Sequence, residues 1–344
     1  MRSDGETADR VYVKLAAFSG FGFPKSHAAA FGLLAYQSAW LRHHYPAEFL
    51  CSLLNAQPMG FYPPSSLVRD AQRRGVEVRP PDVNLSEVFC TWEESAVRMG
   101  LKYVKSVGED DAEAVVAERE ARGEFESVGD LARRLPLDAR ELEALLRSGA
   151  CDRFGKRRDL LWELGLVTRP QTVQREHKQL SLELDPTVAT PELPDLTAWE
   201  RMLADYATTS VSIDVHPLTL LRPHLPPEVL PSDRLNEAPH RSKVAFAGMA
   251  VARQRPSTAH GIVFMLLEDE LGQVNLIVSP ELYERNRAIV RGEPLLLVRG
   301  RFEHIKDNRN IVVESLESLG PLARRIASSD VGASLPAAHH FGHR

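Results

Sequence analysis

Near the start of the chain a glycine-containing loop runs into a long apolar segment, and Lys25, Ser26 and His27 stand at the junction. The first turn of a helix leaves backbone N–H groups without partners and carries partial positive charge, so it attracts anions. Ser26 is placed to cap such a helix, while Lys25 and His27 supply a cation and a further hydrogen-bond donor. These residues predict a nucleotide or phosphate site, although an ordinary capped helix with solvated side chains explains them equally well.

A second group of candidate residues surrounds a turn at Gly108, where the pattern predicts two short helices joined as a helix–hairpin–helix unit. Glycine lets the backbone approach a DNA phosphate closely, and Lys102 and Lys105 add positive charge beside it. Two features oppose this interpretation. Ser106 stands where the first hairpin glycine is expected, and the acidic run 109–113 follows the turn.

A similar unit follows, with its turn at Gly149 and a basic run beyond it formed by Lys156, Arg157 and Arg158. Two such hairpins can hold both strands of a duplex through phosphate contacts, which position a protein without reading base sequence. The pattern therefore predicts a duplex-binding region whose contacts come from backbone N–H groups and from these cations. Glycine C-caps in a plain helical bundle are the alternative.

From Lys243 to Leu319 the pattern changes to strands: three in succession, then a helix, then two more. This order is that of the five-stranded OB-fold barrel, which uses the loops after its first and fourth strands on oligonucleotides. Four cations are expected on those loops: Arg253, Arg255, Lys306 and Arg309. We expect the fold to bring both loops to one rim of the barrel as a track for single-stranded nucleic acid.

Phe264 and Phe302 lie on predicted strands of this barrel. An aromatic side chain on the outer face of an OB-fold can stack on bases, whereas in a small barrel it more often fills the core. The loop cations have a similar alternative, because exposed charge on loops is common.

The bulk properties exclude several classes of protein. The chain has 344 residues, 43% of them hydrophobic, and a formal net charge of −5, so nucleic-acid binding requires local basic patches. Its three cysteines, Cys51, Cys90 and Cys151, are far apart, which argues against a disulfide framework or a zinc knuckle. No apolar run is long enough to span a membrane and no signal peptide is visible, so we expect a cytoplasmic protein without membrane contacts.

Five segments would position these groups. The pattern predicts two helical regions, over residues 1–75 and 76–166. It predicts a linker with little core of its own over residues 167–240, because that stretch is rich in proline. Residues 241–320 form the predicted barrel, and residues 321–344 a flexible tail. The expected fold class is a multidomain α+β chain, in which all-α regions precede a five-stranded β-barrel.

The order of these segments and their residue strings resemble those of the bacterial C-family DNA polymerases. The stretch GFPKSHAAAFGLLAYQSAWLRHHYPAEFL is similar to their fingers segment, and LKYVKSVGE and LRSGACDRFGKRRDLL are similar to their tandem helix–hairpin–helix region. The stretch LLNAQPMGFYPP, and a chain that stops soon after the OB-fold, resemble the error-prone, damage-inducible branch. The resemblance implies a C-terminal portion that serves damage-induced mutagenesis and translesion synthesis, with Lys25 or His27 near the incoming triphosphate.

In this family, the resemblance implies, nucleotidyl transfer needs palm-domain carboxylates in a P-D-x-D-x-D string to hold two Mg²⁺ ions. No D-x-D string occurs in this sequence. We therefore expect no catalytic residue, no metal site and no cofactor bound by this chain, with Mg²⁺ only where a complete palm domain is present.

Three functions are open at this point. The first is a DNA-holding part of an error-prone polymerase, which binds primer–template duplex and single strand, with an N-terminal polymerase chain and other mutagenesis-complex proteins as partners. The second is an active polymerase completed by a palm on another chain, which the missing carboxylates oppose. The third is a standalone single-stranded DNA- or RNA-binding OB-fold protein, which the fingers-like stretch opposes.

Overall fold

The computed structural model describes residues 7, 9–15, 25–59, 62–167, 193–235, 237–305, 308–327, 335 and 339–341. Three consecutive helices follow residue 24: α1 (Lys25–His44), α2 (Pro46–Asn55) and α3 (Pro64–Gln72). Pro46 is the first residue of α2, a position where its missing N–H is not needed, and α1 ends before it. All 20 residues of α1 are exposed.

A small three-stranded sheet packs against α2 and α3. Its strands are β1 (Glu77–Arg79), β2 (Thr91–Glu93) and β3 (Ala96–Arg98). The order is β1–β3–β2, with β1 parallel and β2 antiparallel to β3. Leu54 and Val68 of the helices share one core with Val78 and Val97 of the sheet. A single core therefore crosses residue 75, where the sequence predicted a domain boundary.

Four helices form the next unit: α4 (Glu109–Arg122), α5 (Val128–Arg134), α6 (Ala139–Ser148) and α7 (Arg157–Val167). A capping box starts α6, because the Asp138 carboxylate accepts from the Glu141 N–H and the Glu141 side chain accepts from the Asp138 N–H. The four helices bury one common core. Val107 and Ala150, from the two predicted hairpin turns, belong to that core.

Residues 193–235 carry three short helices and one strand: α8 (Ala198–Thr209), α9 (Pro217–Leu221), β4 (Val229–Leu230) and α10 (Ser232–Leu235). Trp199 and Tyr206 of α8 are buried together with Met249 of the barrel that follows. The prediction of a linker with little core is corrected here, because these apolar side chains share a buried core with the outer wall of the barrel. Residues 168–192 of the predicted linker lie outside the described residues.

Five strands close into a mixed β-barrel: β5 (Lys243–Gln254), β6 (Val263–Glu268), β7 (Gln273–Val278), β8 (Leu295–Ile305) and β9 (Asn308–Ser318). They pair in the order β5–β6–β7–β9–β8, and β8 pairs back onto β5. The β7–β9 pair is parallel and the other pairs are antiparallel. Helices α11 (Pro280–Arg285) and α12 (Arg287–Gly292) connect β7 to β8. The predicted fold class, helices followed by a five-stranded OB-fold barrel, is confirmed.

The residues after the barrel return to its surface. Helix α13 (Gly320–Ala327) buries Ala323 against the same outer wall that α8 covers, and β10 (His339–Phe341) pairs in parallel with the end of β5. The predicted flexible tail over residues 321–344 is therefore corrected for these two elements. In the part of the chain that the structure describes, no helix is long and apolar enough to cross a membrane.

Candidate nucleic-acid interface

The predicted phosphate site lies at the first turn of α1, which begins at Lys25. Ser26 is therefore the second helical residue rather than the predicted N-cap, and residues 16–24 lie outside the described residues. The His27 ring packs against the Phe31 ring one turn further on, with 4.4 Å between the ring centroids. The side chains of Lys25, Ser26 and His27 are exposed, and their contact with a nucleotide stays a prediction.

Backbone N–H groups at the first hairpin turn already have partners within the protein. The Gly108 N–H donates to the Asp111 carboxylate at 2.9 Å, and the Val107 N–H donates to the Val104 carbonyl at 3.0 Å. Gly108 is thus the N-cap of α4, and an acidic residue of the run that follows it takes its N–H. A phosphate at Gly108 would have to displace this carboxylate.

The two lysines of this turn are also engaged. The Lys105 ammonium donates to the Ala207 carbonyl at 2.9 Å, and the Lys105 N–H donates to the Thr208 carbonyl at 2.7 Å. Both carbonyls belong to the last turn of α8, where the helix dipole favours a cation. Lys102 forms an ion pair with Glu109 at the surface and stays about half exposed. Lys105 therefore fastens the turn to α8, while Lys102 faces solvent.

Gly149 ends α6 in the left-handed conformation, with a φ of +85°. Its N–H donates to the Leu146 carbonyl at 3.2 Å. A Cβ at this position would lie 2.2 Å from the Nη2 atom of Arg157. Glycine is required here both for the backbone conformation and for the space that the guanidinium occupies.

Arg157 is the centre of a buried ion-pair cluster and is 5% exposed. Its Nη1 donates to Asp205 Oδ1 at 2.6 Å, and its Nε donates to Asp152 Oδ1 at 2.8 Å. Burial raises the pKa of Asp205 to about 6, although the neighbouring Arg157 acts to lower it. The prediction that Arg157 contacts DNA is wrong, because the guanidinium joins the second hairpin to α8. No pattern in the sequence indicated Asp205 as its partner.

The other two members of this basic run face outward. Lys156 is exposed just before α7. Arg158 is partly buried, and its Nη2 donates to the Glu200 carboxylate at 2.9 Å. Successive residues at a helix start point in directions about 100° apart, so one inward residue between two outward ones is expected there. The contact of Lys156 and Arg158 with duplex DNA stays a prediction.

Arg253 lies within β5 rather than on the loop after it, and it is 6% exposed. Its Nη2 donates to the Glu293 carbonyl, and burial lowers its pKa to about 10. A bulge between Ala250 and Ala252 shifts the alternation of the strand, so that Arg253 turns inward opposite Met265. The prediction that Arg253 contacts single-stranded nucleic acid is wrong for this reason.

The two barrel loops do not share a rim. Strands β6 and β7 are antiparallel and β7 and β9 are parallel, so the loop before β6 and the loop before β9 lie at opposite ends of the β6–β7 pair. Arg255, on the first loop, is 45% exposed and lies 4.6 Å from the Tyr283 ring centroid. Arg309 is an exposed residue of β9, and Lys306 lies outside the described residues. The expectation of one rim is therefore wrong, and the loops flank the β6–β7 face instead.

The two barrel phenylalanines have opposite environments. Phe302 is 1% exposed inside the barrel, as the core alternative predicts, whereas Phe264 is 38% exposed on the outer face of β6. Beside Phe264 lies a cleft that Tyr62, Gln254 and Asn275 also line. Sequence reasoning missed these three residues. The polar positions within the alternating pattern of β7 were the available signal for Asn275.

Acidic residues where β6 ends do not form a metal centre. Asp269 accepts hydrogen bonds from the Ser232 hydroxyl at 2.6 Å and the Gly272 N–H at 2.8 Å, and Glu270 accepts from Arg222 at 2.8 Å. Among the residues that the structure describes, no group of three or more His, Cys, Asp or Glu side chains could hold a metal ion. These residues therefore do not fit a two-Mg²⁺ centre, since internal donors already satisfy their carboxylates.

A family model described as "Helix-hairpin-helix motif" matches residues 75–161, which include both predicted hairpins. Curated relatives named error-prone DNA polymerase match most of the chain. The relative from Corynebacterium efficiens is 40% identical over 318 residues, which are 92% of this chain and 29% of that protein. Those from Anaeromyxobacter sp. and Mycolicibacterium paratuberculosis are 41% and 42% identical, over 93% and 90% of this chain and 28% of each protein.

One solved structure has a low overall similarity to this chain. An asparaginyl-tRNA synthetase from Pyrococcus horikoshii, complexed with asparaginyl-adenylate, is 17% identical over 30% of this chain and 26% of that one, with a TM-score of 0.24. A score this low supports no argument.

The chain thus contains a helix–hairpin–helix region, and an OB-fold barrel follows it in the sequence. Relatives with about 40% identity extend over nine-tenths of it and cross both modules. The chain is therefore similar to one part of the error-prone DNA polymerases, and it spans 28–29% of the length of these relatives.

Proposed function

We propose that this chain holds DNA for an error-prone DNA polymerase, in damage-induced mutagenesis and translesion synthesis in the cytoplasm. The helical unit α4–α7 binds primer–template duplex, the barrel binds single-stranded template, and nucleotidyl transfer takes place elsewhere in the polymerase. The observation that carries the proposal is the similarity to error-prone polymerases, which extends over more than nine-tenths of the chain at 40–41% identity.

We assign duplex binding by this unit to Lys102, Lys156 and Arg158, three of the predicted cations that stay on its surface. Contacts of such side chains with phosphates carry no sequence information. The formal net charge of −5 also opposes long-range attraction to DNA. We expect weak, sequence-independent affinity, with a dissociation constant on the order of 10⁻⁴ to 10⁻⁶ M at physiological salt.

Helix α1 supports a proposal about the remaining polymerase polypeptide. Phe31, Leu34, Tyr36 and Trp40 project from it into solvent, and none of its residues is buried. A helix with large apolar side chains on several sides is normally covered by protein. Because the relatives are more than three times as long as the part this chain matches, we assign the rest of the polymerase as the partner that covers α1. That contact would place Lys25 and His27 beside the nucleotide.

The duplex proposal is tested on the full chain with a labelled primer–template, by fluorescence anisotropy at several salt concentrations. A variant with Lys102→Gln and Lys156→Gln is expected to bind unrelated sequences more weakly by similar factors. The slope of log affinity against log salt should fall by about 0.9 for each lost phosphate contact. Arg133→Gln is the matched control, because it removes a 70% exposed cation on α5.

Unchanged affinity in the double variant, or a loss confined to one DNA sequence, would contradict the proposed duplex contact. The same preparation, given Mg²⁺ and deoxynucleotides, is expected to add nothing to the primer. Extension by the pure chain would contradict the assignment of nucleotidyl transfer to another part of the polymerase.

A further inference from the structure

A cleft of about 370 Å³ lies between the segment that precedes α3 and the outer face of the barrel. Its volume falls at the lower end of the range of about 300–1,000 Å³ found for ligand pockets. Tyr62 contributes from the segment before α3, and Phe264 contributes from β6. Two regions that are far apart in the sequence therefore present an aromatic ring to one cleft.

The pairing register places the two polar members of the cleft on the same outer face of the sheet as Phe264. Gln254 of β5 is its ladder partner on one side, and Asn275 lies opposite Leu266 on the neighbouring strand β7. Gln254, Phe264 and Asn275 are all exposed, while Met265 between the outward residues points into the core. The outer face of three adjacent strands thus carries an aromatic ring between two amide side chains.

The backbone conformation of Tyr62 is restricted by the two residues that follow it. Pro63 and Pro64 follow it, and a residue before proline is restricted to extended conformations. Pro63 is itself extended, with φ of −65° and ψ of 151°, and Pro64 is the first residue of α3. The ring of Tyr62 is 56% exposed although its main chain is constrained. Such a side chain is presented to a ligand at a low cost in backbone entropy.

The chemistry of the cleft fits a nucleobase better than a phosphate. No charged side chain occurs among the described residues that line it, whereas two aromatic rings and two amides do. Aromatic rings stack on the face of any base, and amides can pair with the polar edge of a base. Arg255 follows Gln254 at the end of β5, about half exposed, where a neighbouring phosphate would pass.

We propose that this cleft takes one unstacked base of a single-stranded nucleic acid between Tyr62 and Phe264, with Gln254 and Asn275 at its polar edge. The inference rests on the proposed binding of single-stranded template by the barrel, and it adds the segment before α3 to that site. The segment before α3 and the barrel then contact the same template strand, rather than binding it as separate modules.

The experiment measures binding of the full chain to a fluorescein-labelled oligo-dT of about 16 nucleotides, the upper site size for one OB-fold. Phe264→Ala and Tyr62→Ala are each expected to weaken binding by about fivefold to 150-fold, the equivalent of one lost stacking contact. The salt slope should not change, because no cation is removed. Phe264→Trp should keep near-normal affinity, since the ring is retained.

Trp92→Ala is the matched control, because Trp92 is a 61% exposed aromatic on β2 that does not line the cleft. An oligonucleotide with abasic sites supplies the second arm of the test. The chain with native Tyr62 and Phe264 should bind the abasic strand more weakly than oligo-dT, and Phe264→Ala should show little further loss on it. That non-additivity would identify a base, rather than the backbone, as the group that the ring contacts.

Three results would overturn the inference. If both alanine variants bind oligo-dT as tightly as the native chain, the cleft holds no base, and the proposed binding of single strand stands unharmed. An equal loss on the abasic strand or on duplex DNA would assign the rings a structural role instead. A native chain that binds neither oligo-dT nor duplex would remove the proposed function together with this site.

Discussion

Helices α1 and α8 both carry large aromatic side chains, but those of α1 are exposed and those of α8 are buried. None of the 20 residues of α1 is buried, whereas seven of the 12 residues of α8 are, including Trp199 and Tyr206. The sequence around α1 is the more apolar of the two, and that around α8 is rich in proline. The difference teaches that burial depends on which surface lies opposite a helix. For α8 that surface is the barrel wall.

The largest expected effect comes from removing one aromatic side chain from each helix. Trp199→Ala should lower the free energy of unfolding by about 3–5 kcal/mol, because it empties a well-packed site between α8 and the barrel. Trp40→Ala on α1, where the side chain is 43% exposed, should stay within about 0.5 kcal/mol. Chemical denaturation followed by circular dichroism measures both. Similar losses in the two variants would mean that α1 is covered in solution.

A second prediction concerns the ion pair that ties α8 to the second hairpin. Arg157→Ala should cost about 3 kcal/mol, because it leaves the Asp205 carboxylate buried without its partner. Asp152 shares this arginine and is 38% exposed, which keeps the expected loss at the low end for a buried pair. Arg153→Ala should cost about 0–1 kcal/mol, since it breaks only a surface pair with Glu124.

Equal losses for these two arginine variants in the same denaturation experiment would contradict the buried cluster. They would also return Arg157 to the set of surface cations available for DNA, as the sequence first indicated.

A third prediction is a pH dependence of stability that arises from Asp205 on α8. Burial raises the pKa of Asp205 to about 6, from an ordinary value near 4, so the folded state binds a proton more tightly than the unfolded state does. This contribution to stability is complete below about pH 4 and is lost as the pH rises through about 6. The change should amount to about 2–3 kcal/mol.

Comparing the native chain with Asp205→Asn across pH 4–7 isolates the contribution of Asp205 to the free energy of unfolding, because other titrating groups contribute equally to both proteins. The native chain should lose stability relative to the variant as the pH rises. A constant difference between the two would show that Asp205 titrates normally.

Much of the fold could be predicted from local patterns. The five barrel strands follow from alternation and turn residues, and this prediction is confirmed. The single helix predicted after the third strand is instead two helices, α11 and α12. The stretch 193–235 was missed because its apolar side chains pair with a surface formed later in the chain. Arg253 was misassigned for a similar reason, since one bulge in β5 reverses which face the strand presents.

Within the candidate site, the types of residue could be predicted from the sequence, but the directions in which their side chains point could not. Lys156 and Arg157 are adjacent in sequence, but the first side chain is exposed and the second is buried. The start of the helix directs Lys156 outward and Arg157 toward Asp205. Tyr62 gave no functional signal on its own, since only the fold places it across a cleft from Phe264. The contact of Lys25 and His27 with a phosphate stays a prediction, because both side chains are exposed on α1.

The amino-acid sequence by itself determined the resemblance to error-prone DNA polymerases, the order of helical region and barrel, and the positions of the hairpin turns. Those features depend on short-range periodicity, glycine placement and similarity of residue strings, all of which are written along the chain. The tertiary structure alone decided which arginines are buried, which helix is covered, and which aromatics meet. Those outcomes depend on contacts between residues far apart in sequence, such as Arg157 with Asp205 and Tyr62 beside Phe264, which no local pattern encodes.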